Sequence, residues 1–209
     1  SLREERLSVL SSINLQDASV IAFELSSLDK QYLDTLGVPW MNLEIHPLRF
    51  LDDLYFNVDA SFDLNFSILN LPDEYIELHV NFLRARYGFA NVTPSNRLLI
   101  VGQTPIDKSI FFDSEFKNLT DYFDRLDLIV SSFDAVDYRP HPYLTDFAVD
   151  NALKKRYSLG ECTDRDFYKI LASGQYHSIC GISSSTLYEA IYFGLKPIFL
   201  EKRARAFGH

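Results

Sequence analysis

Four short stretches in the carboxy-terminal half of this sequence carry side chains suited to holding an anion: Gly102-Gln103-Thr104-Pro105-Ile106-Asp107, Arg139-Pro140-His141-Pro142, Glu161, and Ser183-Ser184-Ser185-Thr186. A serine run that opens a helix turns first-turn N–H groups, hydroxyls and the positive end of the macrodipole toward one point, which favours phosphate. The same run also serves as an ordinary helix cap. His141 stands between two prolines, each fixing its own φ and restricting the residue before it, so the imidazole rides on a stiff, extended loop. Held there it can donate a hydrogen bond or a proton to a departing phosphate, although a surface turn histidine is the plainer alternative. Glu161 can accept two hydrogen bonds from a vicinal diol such as a ribose, or stand as a solvated carboxylate. Asp107, projected by the turn before it, is the carboxylate best placed for chemistry, or else an N-cap. Gln103, Arg139, His141, Glu161, Ser183, Ser184 and Ser185 thus form a candidate set for a phosphate-bearing ligand, best read as a nucleotide-sugar.

These residues can act together only if the fold brings the four stretches to one edge. In open α/β sheets, ligands bind beyond the carboxyl ends of the strands. From Arg97 onward, short β-rich runs alternate with longer amphipathic ones, the pattern of parallel strands joined by crossover helices. The spacing predicts strands at Arg97–Gln103, Ala135–Arg139, Tyr157–Gly160, His177–Gly181 and Pro197–Leu200, and each candidate stretch then follows or ends a strand. Helices are predicted at Glu115–Val130, Leu144–Lys155, Asp164–Ala172 and Ser185–Phe193, the third capped by Thr163 or Asp164 and the last stopped by Gly194.

The first part reads as a βαβ-like fragment: an extended run Ser19–Phe23, a helix near Ser27–Leu36 and a second run Pro39–Ile45. At the end of that second run, Glu44 could serve as a second carboxylate and Arg49 could pair with a substrate carboxylate, though an internal ion pair explains both as well. A helix from Pro72 to about Tyr87 comes next. The expected organisation is an α/β chain with an amino-terminal part over 1–70, a linking helix over 71–94 and a Rossmann-type domain over 95–209.

Composition narrows the function classes. The 209 residues carry a formal charge of −9, which argues against sequence-independent nucleic-acid binding. One local exception is the basic tail of Lys202, Arg203 and Arg205. No apolar run approaches the roughly 20 residues that a membrane helix needs. Cys162 and Cys180 lie 18 apart without a CxxC, so neither a disulfide framework nor a structural zinc site is expected, and a reducing cytoplasm fits best. Gly102-Gln103-Thr104 lacks the GxGxxG spacing and no GxxxxGK[ST] occurs, which disfavours oxidoreductase and P-loop readings. Asp164-Arg165-Asp166 has a DxD pattern, but it opens a predicted helix, where capping accounts for it; no metal site is expected.

The stretches 102–107, Tyr138-Arg-Pro-His-Pro-Tyr143 and Gly181-Ile-Ser-Ser-Ser-Thr-Leu-Tyr-Glu-Ala190 resemble the carboxy-terminal half of bacterial β-Kdo glycosyltransferases of lipopolysaccharide O-antigen and capsule synthesis. More distantly, the His-Pro and Ser-Ser elements are similar to those of bacterial sialyltransferases, whose acidic-acidic-Gly motif is missing here. The resemblance implies a metal-independent GT-B arrangement of two Rossmann-like domains and a CMP-activated 2-keto sugar acid as donor, with no separate cofactor. It implies that His141 and Ser184 or Ser185 bind the CMP phosphate, that Glu161 approaches the nucleoside, and that a carboxylate acts at the anomeric carbon. Asp107 is then the expected nucleophile of a retaining double displacement and Glu44 the acid/base candidate. The partners implied are CMP-Kdo and a glycan or glycolipid acceptor, in the cytoplasm or peripherally at the inner membrane. The first half is short for a GT-B domain, so the chain reads as partial or trimmed. Two alternatives stay open: transfer from CMP-sialic acid or another sugar-nucleotide, and a non-catalytic nucleotide-binding module.

Overall fold

The computed structural model describes residues 10–63, 71–88, 95–106, 108–112, 115–142, 146–162 and 164–201. Asp107, Thr163, Leu144 and the basic tail 202–205 lie outside them. The chain divides into two compact units, Ser1–Pro72 and Asp73–His209.

In the first unit, β1 (Val20–Phe23) and β2 (Trp40–Ile45) are parallel and joined by α1 (Ser27–Thr35). Sequence reasoning missed the third strand, β3 (Phe56–Ala60), which pairs antiparallel with β2. Ser26 and Asp29 form a reciprocal capping box at the start of α1, and Gly37, at φ 66, turns the chain out of the helix. One sheet face is buried by Leu25, Leu33, Val38 and Trp40. The unit also carries a polar knot. Asn42, fully buried, accepts a hydrogen bond from the Leu25 amide at 2.7 Å and donates to Glu44 and Asp59 at 2.9 Å each.

The second unit contains a small hairpin, β5 (Phe111–Phe112) with β6 (Glu115–Phe116), and a larger parallel sheet. The sheet strands are β4 (Arg97–Val101), β7 (Ala135–Arg139), β8 (Gly160–Glu161), β9 (Ser178–Gly181) and β10 (Lys196–Phe199). These five lie in the order β10-β9-β4-β7-β8. The winding therefore runs outward from β4 through β7 to β8, returns to β9 on the other side of β4, and continues to β10. The helices are α2 (Asp73–Tyr87), α3 (Phe123–Val130), α4 (Phe147–Arg156), α5 (Phe167–Ala172) and α6 (Ser185–Tyr192). Leu98, Ile100, Val136 and Tyr138 pack with Leu126 of α3 and Val149 and Leu153 of α4 in one core. Elsewhere, α2 packs on α5, and α6 packs on β9 and β10. No helix among the described residues is long and apolar enough to cross a membrane.

Three predicted elements need correction. The segment expected as a helix over Glu115–Val130 begins as β6 and becomes helical only after Asn118. Asn118 and Asp121 form a capping box that resets the chain there. Tyr157, expected to open a strand, ends α4 instead, and the edge strand is the pair Gly160–Glu161. Asp166, rather than Thr163 or Asp164, caps α5.

β8 is held by its lack of a side chain. A Cβ on Gly160 would stand 2.0 Å from Asp137 Oδ1, and Asp137 cannot turn away. Its Oδ1 accepts from Arg97 Nη2 at 3.0 Å and its Oδ2 from the Tyr176 hydroxyl at 2.7 Å, with the Arg97 guanidinium closing an ion pair at 2.8 Å. Gly160→Ala should therefore lower stability by about 2 kcal/mol, in the range for disturbing a buried polar network; an unshifted urea midpoint would contradict this.

A second tie joins α3 to α4. Asp127 Oδ1 accepts from Arg156 Nε at 2.8 Å and from the Tyr157 hydroxyl at 2.7 Å, and these donors hold its carboxyl down at about 2. A carboxylate with a depressed folded value stabilises the fold fully above its unfolded value of about 3.9 and loses that contribution as pH falls through the folded one. Asp127→Asn should flatten the decline in stability between about pH 4 and pH 2, followed by urea unfolding at stepped pH; an unchanged slope would sink the assignment.

Candidate functional site at the strand ends

The site starts with the close approach of two chain segments. Beyond β4, the Gly102 amide donates to Arg139 O at 2.9 Å, carrying the ladder one step past the strand. A Cβ at Gly102 would meet the Tyr138 hydroxyl at 2.9 Å and His141 N at 3.2 Å, so only glycine lets the two turns lie this near. The next residue is thereby aimed across the end of the sheet. Gln103 Oε1 accepts from the Ser183 amide at 3.0 Å, and its Nε2 donates to Ser109 Oγ at 2.9 Å. Ser183 Oγ in turn donates to Ser109 O. One side-chain amide thus clasps the loops after β4 and β9 at the point where the winding reverses, which is where doubly wound sheets open a crevice.

The clasp fixes the start of α6. Ser184 is extended, at φ −61 and ψ 141, and caps the helix through Thr186 N at 3.4 Å, its hydroxyl also sharing a hydrogen with Thr186 Oγ1 at 2.8 Å. Ser185 is the first residue of the helix. Ser183 has both amide and hydroxyl engaged within the protein and is 2% exposed, so its part is to place the helix start rather than to face a ligand.

Next to β4, the end of β7 divides. Arg139 turns toward the start of α5, where Nη2 donates to Arg165 O at 2.9 Å and the guanidinium lies 5.3 Å from the Phe167 ring centroid. Its Nε is buried without a hydrogen-bond acceptor among the described residues. His141 instead lines an open cleft with Gly102, Gln103, Tyr138 and Ile182. The Tyr138 hydroxyl donates to Asp150 Oδ1 at 2.7 Å, and burial beside that carboxylate pushes the phenol well above its usual value, so it stays protonated.

The structure brings Gln103 and His141 to one cleft, with Ser183 tied to Gln103. Arg139, Glu161, Ser184 and Ser185 are not among the residues that line it. Glu161 pairs in register with Tyr138 on the edge strand, 70% of its side chain is exposed, and it meets Lys154 Nζ at 3.0 Å. Glu44, in the first unit, is held by Asn42 Nδ2 at 2.9 Å and Lys30 Nζ at 3.4 Å. Asp107 falls between Ile106, 72% exposed, and the turn Lys108–Ile110, but is itself outside the described residues.

The cleft also contains residues that sequence reasoning passed over: Lys117 and Asn118 after the hairpin, and Asp146, which caps α4 through Ala148 N and Val149 N. The Asn118-to-Asp121 spacing was the available signal, since a capping box there ends any helix drawn through Lys117.

No family model matches the sequence. No curated protein matches it either. Among solved structures, the chain is similar to the β-Kdo 2,7 transferase KpsC of Thermosulfurimonas dismutans, at 13% identity over 86% of this chain and 77% of that one, with a TM-score of 0.49.

The Gln103 clasp can be tested directly. Gln103→Leu leaves the Ser183 amide without its acceptor, and should cost about 1–3 kcal/mol with faster hydrogen exchange at that amide. A variant with parental stability and exchange would show that the clasp holds nothing.

Proposed function

We propose that the second unit binds the cytidylate of a CMP-activated 2-keto sugar acid, and that the chain transfers Kdo from CMP-β-Kdo to a glycan acceptor with retention of configuration. The observation that carries the reading is the joining of the Gln103 amide to Ser183 at the reversal of the winding. It holds the amino terminus of α6 on one side of β4 while His141 stands at the end of β7 on the other. Neighbouring strands lie about 4.8 Å apart, so the two flank a space of about 10 Å, a width suited to a phosphate and its ester oxygens. First-turn amides of α6 and the Ser184–Ser185 hydroxyls receive phosphate oxygens, and the imidazole of His141 donates to the leaving group. The motifs carrying the resemblance, 102–107, 138–143 and 181–190, supply these same groups.

In this reading the Asp107 carboxylate attacks carbon 2 of the sugar, and the bond from carbon 2 to the phosphate oxygen breaks. CMP departs with the electron pair. An acceptor hydroxyl then attacks carbon 2, the aspartyl ester breaks and restores the carboxylate, and the hydroxyl proton passes to solvent. Two inversions give net retention. A second reading also has an observation behind it. Glu44, the acid/base candidate, is engaged by Lys30 and Asn42 within its own unit, which favours a nucleotide-binding module without catalysis.

Incubation with CMP-Kdo should leave a sugar adduct on the Asp107 peptide by mass spectrometry. Asp107→Asn should abolish adduct and CMP release while keeping CMP affinity, and His141→Ala should weaken CMP binding about tenfold, or 1.4 kcal/mol. An adduct that survives Asp107→Asn removes Asp107 as nucleophile. CMP binding without turnover favours the module, and a thermal shift with UDP or GDP but not CMP rejects the cytidylate.

A further inference from the structure

We infer that Lys117 is a ligand-binding residue: its ammonium exchanges Glu115 for an anionic oxygen of the ligand in the cleft. The inference rests on the cytidylate reading and adds to it a residue contributed by the hairpin rather than by any strand end. The Lys117 amide donates to Ile110 O at 2.8 Å, which fixes where the side chain leaves the backbone. From there it lines the same cleft as Gln103, Tyr138 and His141. Its side chain is only 26% exposed, whereas that of Glu115, 3.0 Å away at Oε2, is 72% exposed. The stem is covered, and the ammonium meets a partner that lies largely in water.

Such a pair is easily exchanged. An ion pair with one partner so exposed is weakened by solvent screening, whereas an anionic oxygen inside the cleft gives a charge-assisted hydrogen bond in a less hydrated place. The other polar groups of the lining favour this position for the anion. Asp146 is a carboxylate tied to the first amides of α4, and the Tyr138 hydroxyl donates to Asp150. Among the described lining residues the basic groups are Lys117 and His141, so negative charge is drawn to their side. The oxygen can belong to the phosphate or to the carboxylate of the sugar acid, and ligands carrying one, the other or neither separate the two.

The test is calorimetry on the full chain with CMP, free Kdo and cytidine. Lys117→Gln should weaken CMP or Kdo binding about tenfold, the usual scale for losing one charge-assisted bond. Lys117→Arg should restore most of it, and Glu115→Gln, which removes the competitor, should tighten the same ligand a few-fold. Cytidine affinity should move with none of them. Wild-type binding of CMP and Kdo that is equal in all three variants overturns the inference and leaves the cytidylate reading standing. Loss of affinity in both Lys117→Gln and Glu115→Gln, cytidine included, also overturns it, because the pair is then a structural support of the loop. A wild-type chain that binds no CMP removes the cytidylate reading and this inference together.

Discussion

A strand buried along its whole length can be placed only in the interior of a sheet, with cover on both faces. That constraint governs the second unit. Leu98, Leu99 and Ile100 of β4 are each 0% exposed and Val101 only 4%, so apolar side chains leave both sides of the strand into packed surroundings. Each such side chain contributes about 1.5–3 kcal/mol relative to exposure, enough to pin β4 between β7 and β9 against any rearrangement. Once β4 is central, strands wound to its two sides diverge beyond its carboxyl end. The place where chemistry can be assembled is fixed by where the greasiest strand lies.

What stands at that end is a set of small, unequal parts. Gly102 allows the turns after β4 and β7 to touch, Gln103 bridges to the loop after β9, and the hairpin brings Lys117 to the rim. None of these groups would hold a ligand alone. A lone helix start is a cap and a lone histidine is a turn residue. Here the amide of Gln103 and the hydroxyl of Ser183 are consumed in fixing the positions of groups beside them. Adjacent serines therefore do different work: Ser183 ties its loop to Gln103 and Ser109, while Ser184 caps α6.

How much of this was legible depended on which force decided each element. β7 matches its predicted span even though Asp137 interrupts its apolar residues, and α6 starts at the serine cap and stops before Gly194, at φ 84. The hairpin at 111–116 was hidden because strands of two residues are too short for periodicity, and the acidic and apolar spacing after Glu115 mimics a helix. β3 was missed although Phe56-Asn-Val-Asp-Ala carries the apolar–polar alternation of a half-buried strand, because five residues give that signal little length and pairing with β2 supplies the rest. The tip positions of His141 and Gln103 came from strand order. The place of Glu161 on the edge strand did not, because nothing in a sequence says which parallel strand becomes the edge.

The Gln103 bridge spans 80 residues of chain. Its two ends meet only after β7, α4, β8 and α5 have been laid down between them and β9 has docked against β4. A contact of such long range carries the closure entropy of the intervening chain, which the packing of those elements must offset. Nascent or partly folded chains thus possess the histidine and the serines but not their spacing. Completion of the sheet and the ordering of its strand-end loops are therefore coupled through one side-chain amide.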